Sequence, residues 1–274
     1  MQHLLSVWNE LLATIKECPV MLFLDYDGTL TPIVRHPSFA KLSLTGKKLL
    51  RSLVRTEGIK TVIVSGRSLA DMKDRMDIPG LIYVGNHGLE FEGPQIRYVH
   101  PMARASKKLL RQLAKKLAQS LKFFPKVFVE NKALTLSVHY RQLSPSKVKK
   151  AKKVFLKTLR PYLRYAQIVF TRGKKVWEVR PPTRWNKGRI VLWLLARMVA
   201  HTATKFVPIY IGDDRTDEDA FKAIRRRGIG IKVTQKGNEV SHAGYYLRST
   251  GEVFDFLRRL KMLKKREKKS YAGL

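Results

Sequence analysis

The amino-acid sequence predicts an α/β fold in which a doubly wound parallel sheet forms the core and a smaller α/β cap domain is inserted into it. Short apolar runs alternate with helical stretches from residue 20 onward, which is the pattern of βαβ units around a parallel sheet. A basic, strand-rich segment interrupts this alternation after residues 95–99. Because the alternation resumes near Asn186, we expect the core to be built from two separate parts of the chain.

The first part of the core, assigned to residues 1–100, contains three predicted strands. Each contains a short apolar run that ends in polar or turn-forming residues, as is typical of buried strands. The predicted elements are, in order, a strand at 20–25, a helix near 44–56, a strand at 60–65, a helix near 68–77 and a strand at 81–85.

The predicted cap, assigned to residues 101–182, repeats the order helix, strand, strand. Its helices are rich in lysine and arginine, and its extended runs are short. The predicted elements are a helix near 103–122, strands at 126–131 and 133–141, a helix near 145–163, and strands at 166–171 and 175–179.

The second part of the core, assigned to residues 183–274, returns to the earlier pattern. An apolar helical stretch covers 190–199, and the apolar run 208–212 predicts another strand. A further helix begins near Asp217, and the chain ends in a basic tail that includes 258–269.

The most informative motif is D-Y-D-G-T-L at residues 25–30, directly after the first apolar run. Residues i and i+2 of an extended backbone point to the same side, so Asp25 and Asp27 can face one site. Two carboxylates this close need a cation, a shared proton or a proton-transfer role. The pair suits Mg²⁺-assisted phosphoryl transfer, with one aspartate as nucleophile and the other as acid and base. An Asp-Gly turn after a strand is the structural alternative.

Polar groups at other predicted element ends fit the same chemistry. Ser65 ends the second apolar run, and Lys187 opens a helical stretch where its charge can hold phosphate. Asp213 and Asp214 follow the run 208–212, at the strand end where open parallel sheets bind ligands. Each signal is weak alone, because Ser-Gly strand ends and helix-capping acids are common. Their combination predicts a phosphate and Mg²⁺ site.

The strings D-Y-D-G-T-L, V-S-G-R, N-K-G and G-D-D-R-T-D-E-D, in this order, resemble the four motifs of the haloacid dehalogenase superfamily of phosphatases. Three more strings, G-N-H-G-L-E, V-E-N-K and V-W-E-V-R-P, are similar to those of the trehalose-6-phosphate phosphatases within it. The resemblance extends from about Met21 to Phe256. It implies a Rossmann-like core of haloacid dehalogenase type, an inserted cap, and a Mg²⁺-dependent phosphoric monoester hydrolase.

The resemblance implies a catalytic role for each matching residue. Asp25 would be the nucleophile that forms an aspartyl-phosphate. Asp27 would protonate the leaving sugar oxygen and then activate water. Ser65 and Lys187 would hold the phosphoryl group, and Asp214 would support the site.

The resemblance also implies the metal and substrate ligands. Mg²⁺ would be bound by Asp25, the backbone carbonyl of Asp27, and Asp213. The implied substrate-binding residues lie in the first part of the core and in the cap, and they are Gly66, Arg67, Asn86, His87, Glu130, Lys132 and Glu178. The family often has Glu-Asp-Lys where this chain has Glu-Asn-Lys, which leaves the two matched residues intact. A hydrogen-bonded structural role is the alternative for His87.

The reaction implied by the resemblance is hydrolysis of trehalose 6-phosphate to trehalose and phosphate, a step of trehalose biosynthesis. Within the same class, the alternatives are phosphatases for sucrose phosphate or for mannosyl- or glucosyl-3-phosphoglycerate. The alternative from another class is a polyanion-binding protein on a phosphatase scaffold. A binding protein has no need of Asp25, Asp27, Lys187 and Asp213 together. The presence of all four therefore favours an enzyme.

The chain is strongly basic, with 55 Lys and Arg residues against 21 Asp and Glu residues and a formal net charge of +34. Between Pro101 and Pro182 there are 22 basic residues, and the 2 acidic ones are Glu130 and Glu178. Carboxylates accept hydrogen bonds from sugar hydroxyls, whereas ordinary salt bridges are the alternative for both glutamates. The basic cap and tail predict weak contacts with a polyanion, although no nucleic-acid-binding motif accompanies them.

The remaining features favour a cytoplasmic enzyme. Cys18 is the single cysteine, which excludes an intrachain disulfide. No apolar run approaches the roughly 18 residues of a membrane-spanning helix. The apolar run 20–24 is too short for a secretory signal and follows no basic segment.

Overall fold

The computed structural model describes residues 1–271, with side chains described through residue 266. The chain divides into two compact units. The first unit contains Met1–Arg97 and the residues from Asn186 onward, and the second unit contains Tyr98–Trp185. Each unit has its own cluster of buried apolar side chains.

Thirteen strands form two sheets within the described residues. Their bounds in chain order are β1 Gln2–His3, β2 Val20–Leu24, β3 Ile59–Val64, β4 Ile82–Gly85, β5 Glu90–Gly93, β6 Ile96–Val99, β7 Phe128–Asn131, β8 Leu136–His139, β9 Val169–Gly173, β10 Val176–Arg180, β11 Val207–Gly212, β12 Ile229–Val233 and β13 Tyr245–Leu247.

Nine α-helices connect these strands within the described residues. Their bounds in chain order are α1 Trp8–Ile15, α2 Leu44–Val54, α3 Leu69–Met76, α4 Pro101–Ala105, α5 Lys107–Ser120, α6 Pro145–Arg164, α7 Lys187–Thr202, α8 Glu218–Ile224 and α9 Thr250–Tyr271.

The main sheet has nine strands in the order β1-β13-β12-β11-β2-β3-β4-β5-β6. All pairings from β1 through β4 are parallel, and β5 pairs antiparallel with β4. The sequence prediction of an α/β fold with a mostly parallel main sheet is therefore confirmed. Five strands were not predicted: β1, β5, β6, β12 and β13. The strands β1, β5, β6 and β13 have only two to four residues and carry no long apolar run. Gly230 and Lys232 interrupt the apolar run of the buried strand β12.

The central strands are apolar throughout because both faces of the main sheet are covered. Leu22 and Leu24 of β2 belong to the buried cluster that includes side chains of α1, α2, α3 and α9. Phe23, which points to the other face, stacks on Tyr210 of β11 at 6.4 Å between ring centroids. The Tyr210 ring in turn meets Phe221 of α8 edge-on at 5.6 Å. This two-sided covering is what a doubly wound sheet requires.

The second unit contains a four-stranded antiparallel sheet in the order β7-β8-β10-β9. One face of this sheet packs against α5 and α6 through a cluster that includes Leu136, Val138, Trp177 and Val179. The helix-strand-strand order occurs twice, as predicted. The helix predicted near 103–122 is instead two helices, α4 and α5, which meet at Ser106.

The basic tail predicted at 258–269 belongs to α9, and its side chains after Arg266 lie outside the described residues. Within the part of the chain that the structure describes, no helix combines the length and apolarity needed to cross a bilayer.

Candidate active site

Three neighbouring parallel strands end at one edge of the main sheet and place predicted site residues there. β2 lies between β11 and β3 in the sheet. Asp25 follows β2, Ser65 follows β3 and Asp213 follows β11. The backbone N–H of Asp25 donates to the carbonyl of Ile211 at 2.9 Å, so the strand pairing continues up to Asp25. The edge formed by the carboxyl ends of these strands is where such sheets bind ligands.

Lys187 reaches this edge from the first turn of α7. The side chain of Asn186 caps the helix by accepting a hydrogen bond from the Arg189 N–H at 2.9 Å. Lys187 is buried, and its Nζ donates to Oδ1 of Asp25 at 2.9 Å and to Oδ1 of Asp217 at 2.7 Å. The string N-K-G thus supplies both the helix cap and a positive charge beside Asp25.

Asp217 belongs to this cluster, although the sequence indicated only that a helix begins there. Its carboxylate is fully buried, and Oδ1 also accepts a hydrogen bond from the Tyr210 hydroxyl at 2.6 Å. Oδ2 accepts from the backbone N–H of Asp214 at 2.8 Å, which completes a capping box between these two aspartates. The D-x-x-D spacing signals the cap, but no local pattern reveals that the same carboxylate binds Lys187.

Burial and the repulsion among carboxylates dominate the electrostatics of this cluster. Burial raises the pKa of Asp25 well above its usual value; Lys187 lowers it in part, while Asp217 and Asp213 raise it further. Burial by itself would lower the pKa of Lys187, but the attraction of Asp217 and Asp25 outweighs it and raises that pKa well above its usual value. Lys187 therefore stays charged beside a group of carboxylates that attracts further cations.

Asp25, Asp213 and Asp217 form a group that fits a divalent cation. One carboxylate oxygen from each lies within 4.8 Å of the others. Oxygen ligands are what Mg²⁺ and similar hard cations prefer, and Mg²⁺ takes few carboxylates because it keeps several waters. Both oxygens of Asp217 already accept hydrogen bonds. Asp25 and Asp213 are therefore the carboxylates best suited to hold a cation; a ligand role for the Asp27 carbonyl stays a prediction.

Gly28 keeps the loop after β2 close to this group. Its φ of +87° lies in the left-handed region that favours glycine. A Cβ at this position would lie 2.3 Å from the carboxylate carbon of Asp213. Any larger residue would therefore displace the Asp213 carboxylate.

Asp27 is held by Arg67 in a two-point ion pair. Nε and Nη2 of Arg67 each donate to one carboxylate oxygen of Asp27 at 2.7 Å. The guanidinium also donates to Asp71 and to the carbonyl of Pro37, both at 2.8 Å. Arg67 is buried and its N–H groups are directed to protein acceptors, so in this structure it orients Asp27. The predicted contact of Arg67 with substrate stays a prediction.

Ser65, Gly66, Asn86 and His87 lie together in the turns that follow β3 and β4. The His87 N–H donates to the Ser65 carbonyl at 3.0 Å, and the Asn86 N–H donates to the Arg67 carbonyl at 2.6 Å. Asn86 and His87 have φ values of 48° and 57°, in a region that non-glycine residues rarely adopt. Strain of this kind persists where surrounding contacts enforce it. Substrate binding by these four residues stays a prediction.

The predicted sugar-binding residues of the second unit lie on the sheet face that α5 and α6 do not cover. Glu130 of β7 and Glu178 of β10 are both in register with Ser137 of β8, so the three side chains share one face. Oε2 of Glu130 is 2.8 Å from Nε2 of His139 and 3.9 Å from Nζ of Lys132. The structure thus brings Glu130 and Lys132 together and places Glu178 two strands away in the same row.

The mostly parallel main sheet, the separate antiparallel sheet and the strand-end carboxylates beside Lys187 define a phosphohydrolase of haloacid dehalogenase type. A haloacid dehalogenase-like hydrolase from Bacteroides thetaiotaomicron shares the fold, with a TM-score of 0.56 and 17% identity over 88% of this chain and 99% of that one. The C-terminal domain of Candida albicans trehalose-6-phosphate phosphatase shares it too, with a TM-score of 0.77 and 24% identity over 93% and 97% of the two chains.

Residues 23–251 match the family described as trehalose-phosphatase, and the chain belongs to this family of phosphoric monoester hydrolases. It is 32% identical over 266 residues to trehalose-phosphate phosphatase B of Arabidopsis thaliana, covering 93% of this chain and 70% of that protein. It is 37% identical over 243 residues to the trehalose-phosphate phosphatase of Mycobacterium bovis, covering 87% of this chain and 60% of that protein.

Proposed function

We propose that this protein hydrolyses trehalose 6-phosphate to trehalose and inorganic phosphate, with Asp25 as the covalent nucleophile. The observation that carries the proposal is the buried hydrogen bond of 2.9 Å between Lys187 and Asp25 at the edge where β2, β3 and β11 end. A buried carboxylate with a fixed ammonium beside it is suited to attack a phosphoryl group and to bear its charge.

In the first step, a carboxylate oxygen of Asp25 attacks phosphorus, and the bond from phosphorus to the sugar oxygen breaks. Lys187 holds Oδ1 of Asp25, which leaves Oδ2 as the attacking oxygen. Asp27 donates a proton to the departing sugar oxygen, so trehalose leaves as the neutral alcohol. The charge on the transferring oxygens is stabilised by Lys187, because phosphoryl transfer depends mainly on positioning and electrostatics.

In the second step, Asp27 accepts a proton from water, and the resulting hydroxide attacks the phosphorus of the aspartyl-phosphate. Inorganic phosphate leaves and the Asp25 carboxylate is restored. The ion pair with Arg67 keeps Asp27 oriented between cycles. Mg²⁺, held by Asp25 and Asp213, would supply positive charge that stabilises the phosphoryl oxygens.

The second unit would recognise the disaccharide through Glu130, Lys132 and Glu178. The shared sheet face and the Glu130–Lys132 contact support this role. Glu130→Gln should lower kcat/KM for trehalose 6-phosphate at least tenfold while leaving hydrolysis of p-nitrophenyl phosphate within about twofold. An equal loss on both substrates would exclude a role of Glu130 in sugar recognition.

The test of the function is phosphate release from trehalose 6-phosphate, sucrose 6-phosphate and glucosyl-3-phosphoglycerate, with and without Mg²⁺. We expect Mg²⁺-dependent release that is strongest for trehalose 6-phosphate and is abolished by Asp25→Asn. Activity confined to another sugar phosphate would retain the mechanism and overturn the substrate. Release that survives Asp25→Asn would overturn the mechanism.

A further inference from the structure

The two long helices of the second unit carry basic residues and no acidic ones. α5 contains five lysines and arginines and α6 contains eight. Twelve of these thirteen side chains are exposed, and the thirteenth is partly exposed. Ordinary helix surfaces mix both signs of charge, so a surface of one sign creates an extended positive potential.

The basic side chains form one continuous surface because α5 and α6 lie side by side. Nζ of Lys116 on α5 donates to the hydroxyl of Tyr162 on α6 at 2.7 Å. The apolar side chains of both helices point inward, and Leu113, Leu117 and Phe155 are fully buried in the cluster beneath. None of the leucine, valine or phenylalanine side chains of the two helices is exposed. The two helices therefore expose none of the leucine, valine or phenylalanine side chains that would insert into the core of a lipid bilayer.

An open groove of about 1050 Å³ lies along the C-terminal half of α6. Its lining includes Lys157, Arg160, Arg164 and Tyr165. The three cations are spaced three and four residues apart, so they form one stripe about 10.5 Å long on the helix. Tyr165 lies at the end of this stripe and is 71% exposed.

A stripe of cations that ends in an exposed aromatic ring fits a single-stranded nucleic acid. Three cations in a row can follow the backbone of one strand, as the positively charged grooves of single-strand-binding proteins do. The tyrosine ring offers a surface on which a base stacks, and such stacking does not depend on sequence. A small sugar phosphate does not require a charge distribution of this extent, so the surface is separate from the proposed reaction.

We propose that the α5–α6 surface binds a single-stranded nucleic acid, with Lys157, Arg160 and Arg164 contacting successive phosphates and Tyr165 stacking on a base. The test is fluorescence anisotropy of a fluorescein-labelled 20-nucleotide polyuridine RNA, titrated with the full chain at several salt concentrations. The triple variant Lys157→Gln/Arg160→Gln/Arg164→Gln should bind at least tenfold more weakly. The slope of log affinity against log salt should become less steep by about 2.

A matched variant distinguishes this surface from the overall charge of the chain. Arg225, Arg226 and Arg227 are three exposed arginines of the first unit, and replacing all three by glutamine removes the same charge. This control should bind the RNA within about threefold of the parent chain. An equal loss in both triple variants would overturn the proposal, because affinity would then follow net charge alone.

Tyr165→Ala distinguishes a nucleic acid from other polyanions. It should weaken polyuridine binding about tenfold and leave competition by inorganic polyphosphate unchanged, because polyphosphate has no base to stack. Phe39→Ala, at an aromatic ring of the first unit that is 68% exposed, should change neither. An unchanged RNA affinity in Tyr165→Ala, or stronger binding of polyphosphate than of RNA, would overturn the proposed partner. Phosphate release and melting temperatures of the variants verify that they are folded.

Discussion

Asp217 anchors the lysine of the site through a carboxylate that accepts three hydrogen bonds. Lys187 and the Tyr210 hydroxyl share its Oδ1, and the Asp214 N–H occupies its Oδ2. Lys187 also donates to Asp25. The position of the Lys187 ammonium relative to Asp25 therefore depends on Asp217, which need not touch the substrate, and Tyr210 contributes by restraining Asp217.

The first prediction concerns Tyr210→Phe, which removes the hydroxyl and preserves the ring. A hydrogen bond to a charged group contributes about 1.5–3 kcal/mol. Since the lost bond restrains the carboxylate that holds Lys187, we expect kcat to fall about tenfold with little change in KM. Steady-state kinetics on trehalose 6-phosphate and on p-nitrophenyl phosphate measure this, and the loss should be equal on both.

Tyr83→Phe is the matched control, because Tyr83 is also buried in the main sheet and its hydroxyl bonds the backbone of Ile78. Both variants should melt at lower temperature than the parent chain. Only Tyr210→Phe should lose kcat. A similar kcat loss in the two variants would show that Tyr210 acts through general stability.

Single residues were predictable where a motif places them at an element end. Asp25, Asp213 and Lys187 stand at such ends, and the structure brings them into one cluster. Tyr210 and Asp217 were not predictable as partners of Lys187. A tyrosine inside an apolar strand reads as a core residue, and its polar contact forms only when β11, α7 and the following turn assemble.

At the scale of elements, α3 is tied to the loop that holds Asp27. Asp71 in its first turn accepts hydrogen bonds from Arg67 and Arg75, both at 2.8 Å. Burial would raise the pKa of Asp71, but the hydrogen bonds from Arg75 and Arg67 outweigh it and hold that pKa below its usual value. Asp71 therefore stabilises the fold through its ionised form.

The second prediction is that Asp71→Asn lowers stability by up to about 1 kcal/mol at pH 7 and by less in acid. Because the folded-state pKa is lowered, the stabilisation is present above the unfolded pKa of about 3.9 and is lost as pH falls through the lower folded-state pKa. Melting temperatures recorded between pH 7 and pH 3 measure whether the stability difference between the variant and the parent chain disappears as pH falls. Asp74→Asn, at an exposed position of the same helix, should show no such convergence.

Ser137 is a buried polar group in the row between Glu130 and Glu178. Its hydroxyl has no hydrogen-bond partner among the described residues. A buried hydroxyl without a partner costs free energy unless a ligand satisfies it. The Ser137 hydroxyl lies between two predicted sugar-binding carboxylates, so a bound sugar would supply the missing hydrogen bond. This explanation rests on the proposed function.

The third prediction is that Ser137→Ala raises KM for trehalose 6-phosphate about fivefold without lowering the melting temperature. KM for p-nitrophenyl phosphate should not change. Thr61→Val is the control, because the Thr61 hydroxyl of β3 is likewise buried without a partner in the described chain. It should leave both KM values unchanged. A stability loss in Ser137→Ala with unchanged KM would contradict a substrate contact.

Strands were predictable from the sequence where they are buried and their apolar run is long enough to recognise. β2, β3 and β11 are buried almost throughout, and the apolar runs in their sequences identify them. β12 is nearly as buried, but Gly230 and Lys232 interrupt its apolar run. β5 and β6 lie at one end of the main sheet and are half-exposed and mixed in polarity, and only their pairing with β4 and with each other makes them strands. The break between α4 and α5 at Ser106 also lacked a proline or glycine to signal it.

At the scale of the whole molecule, the net charge of +34 makes the chain sensitive to salt. Like charges repel one another in the compact state, and added salt screens this repulsion. The buried cluster of Asp25, Asp213 and Asp217 is a local exception, with carboxylates that repel one another. A bound divalent cation would relieve that repulsion, whereas general screening acts on the surface lysines and arginines. These two effects of added MgCl₂ can be separated.

The fourth prediction is that millimolar MgCl₂ raises the melting temperature by about 5–10 °C, the shift expected when the cation is present at about 100 times its Kd. Burial raises the pKa of Asp25, so protons compete with the cation and the shift should grow as pH rises. Scanning calorimetry at pH 5.5 and pH 8 measures this dependence. NaCl of equal ionic strength should produce only the part of the melting-temperature shift that comes from charge screening. That part should not grow as pH rises. Asp213→Asn should respond to MgCl₂ as the parent chain responds to NaCl. If NaCl and MgCl₂ shift the parent chain equally at both pH values, the acidic cluster does not bind the cation.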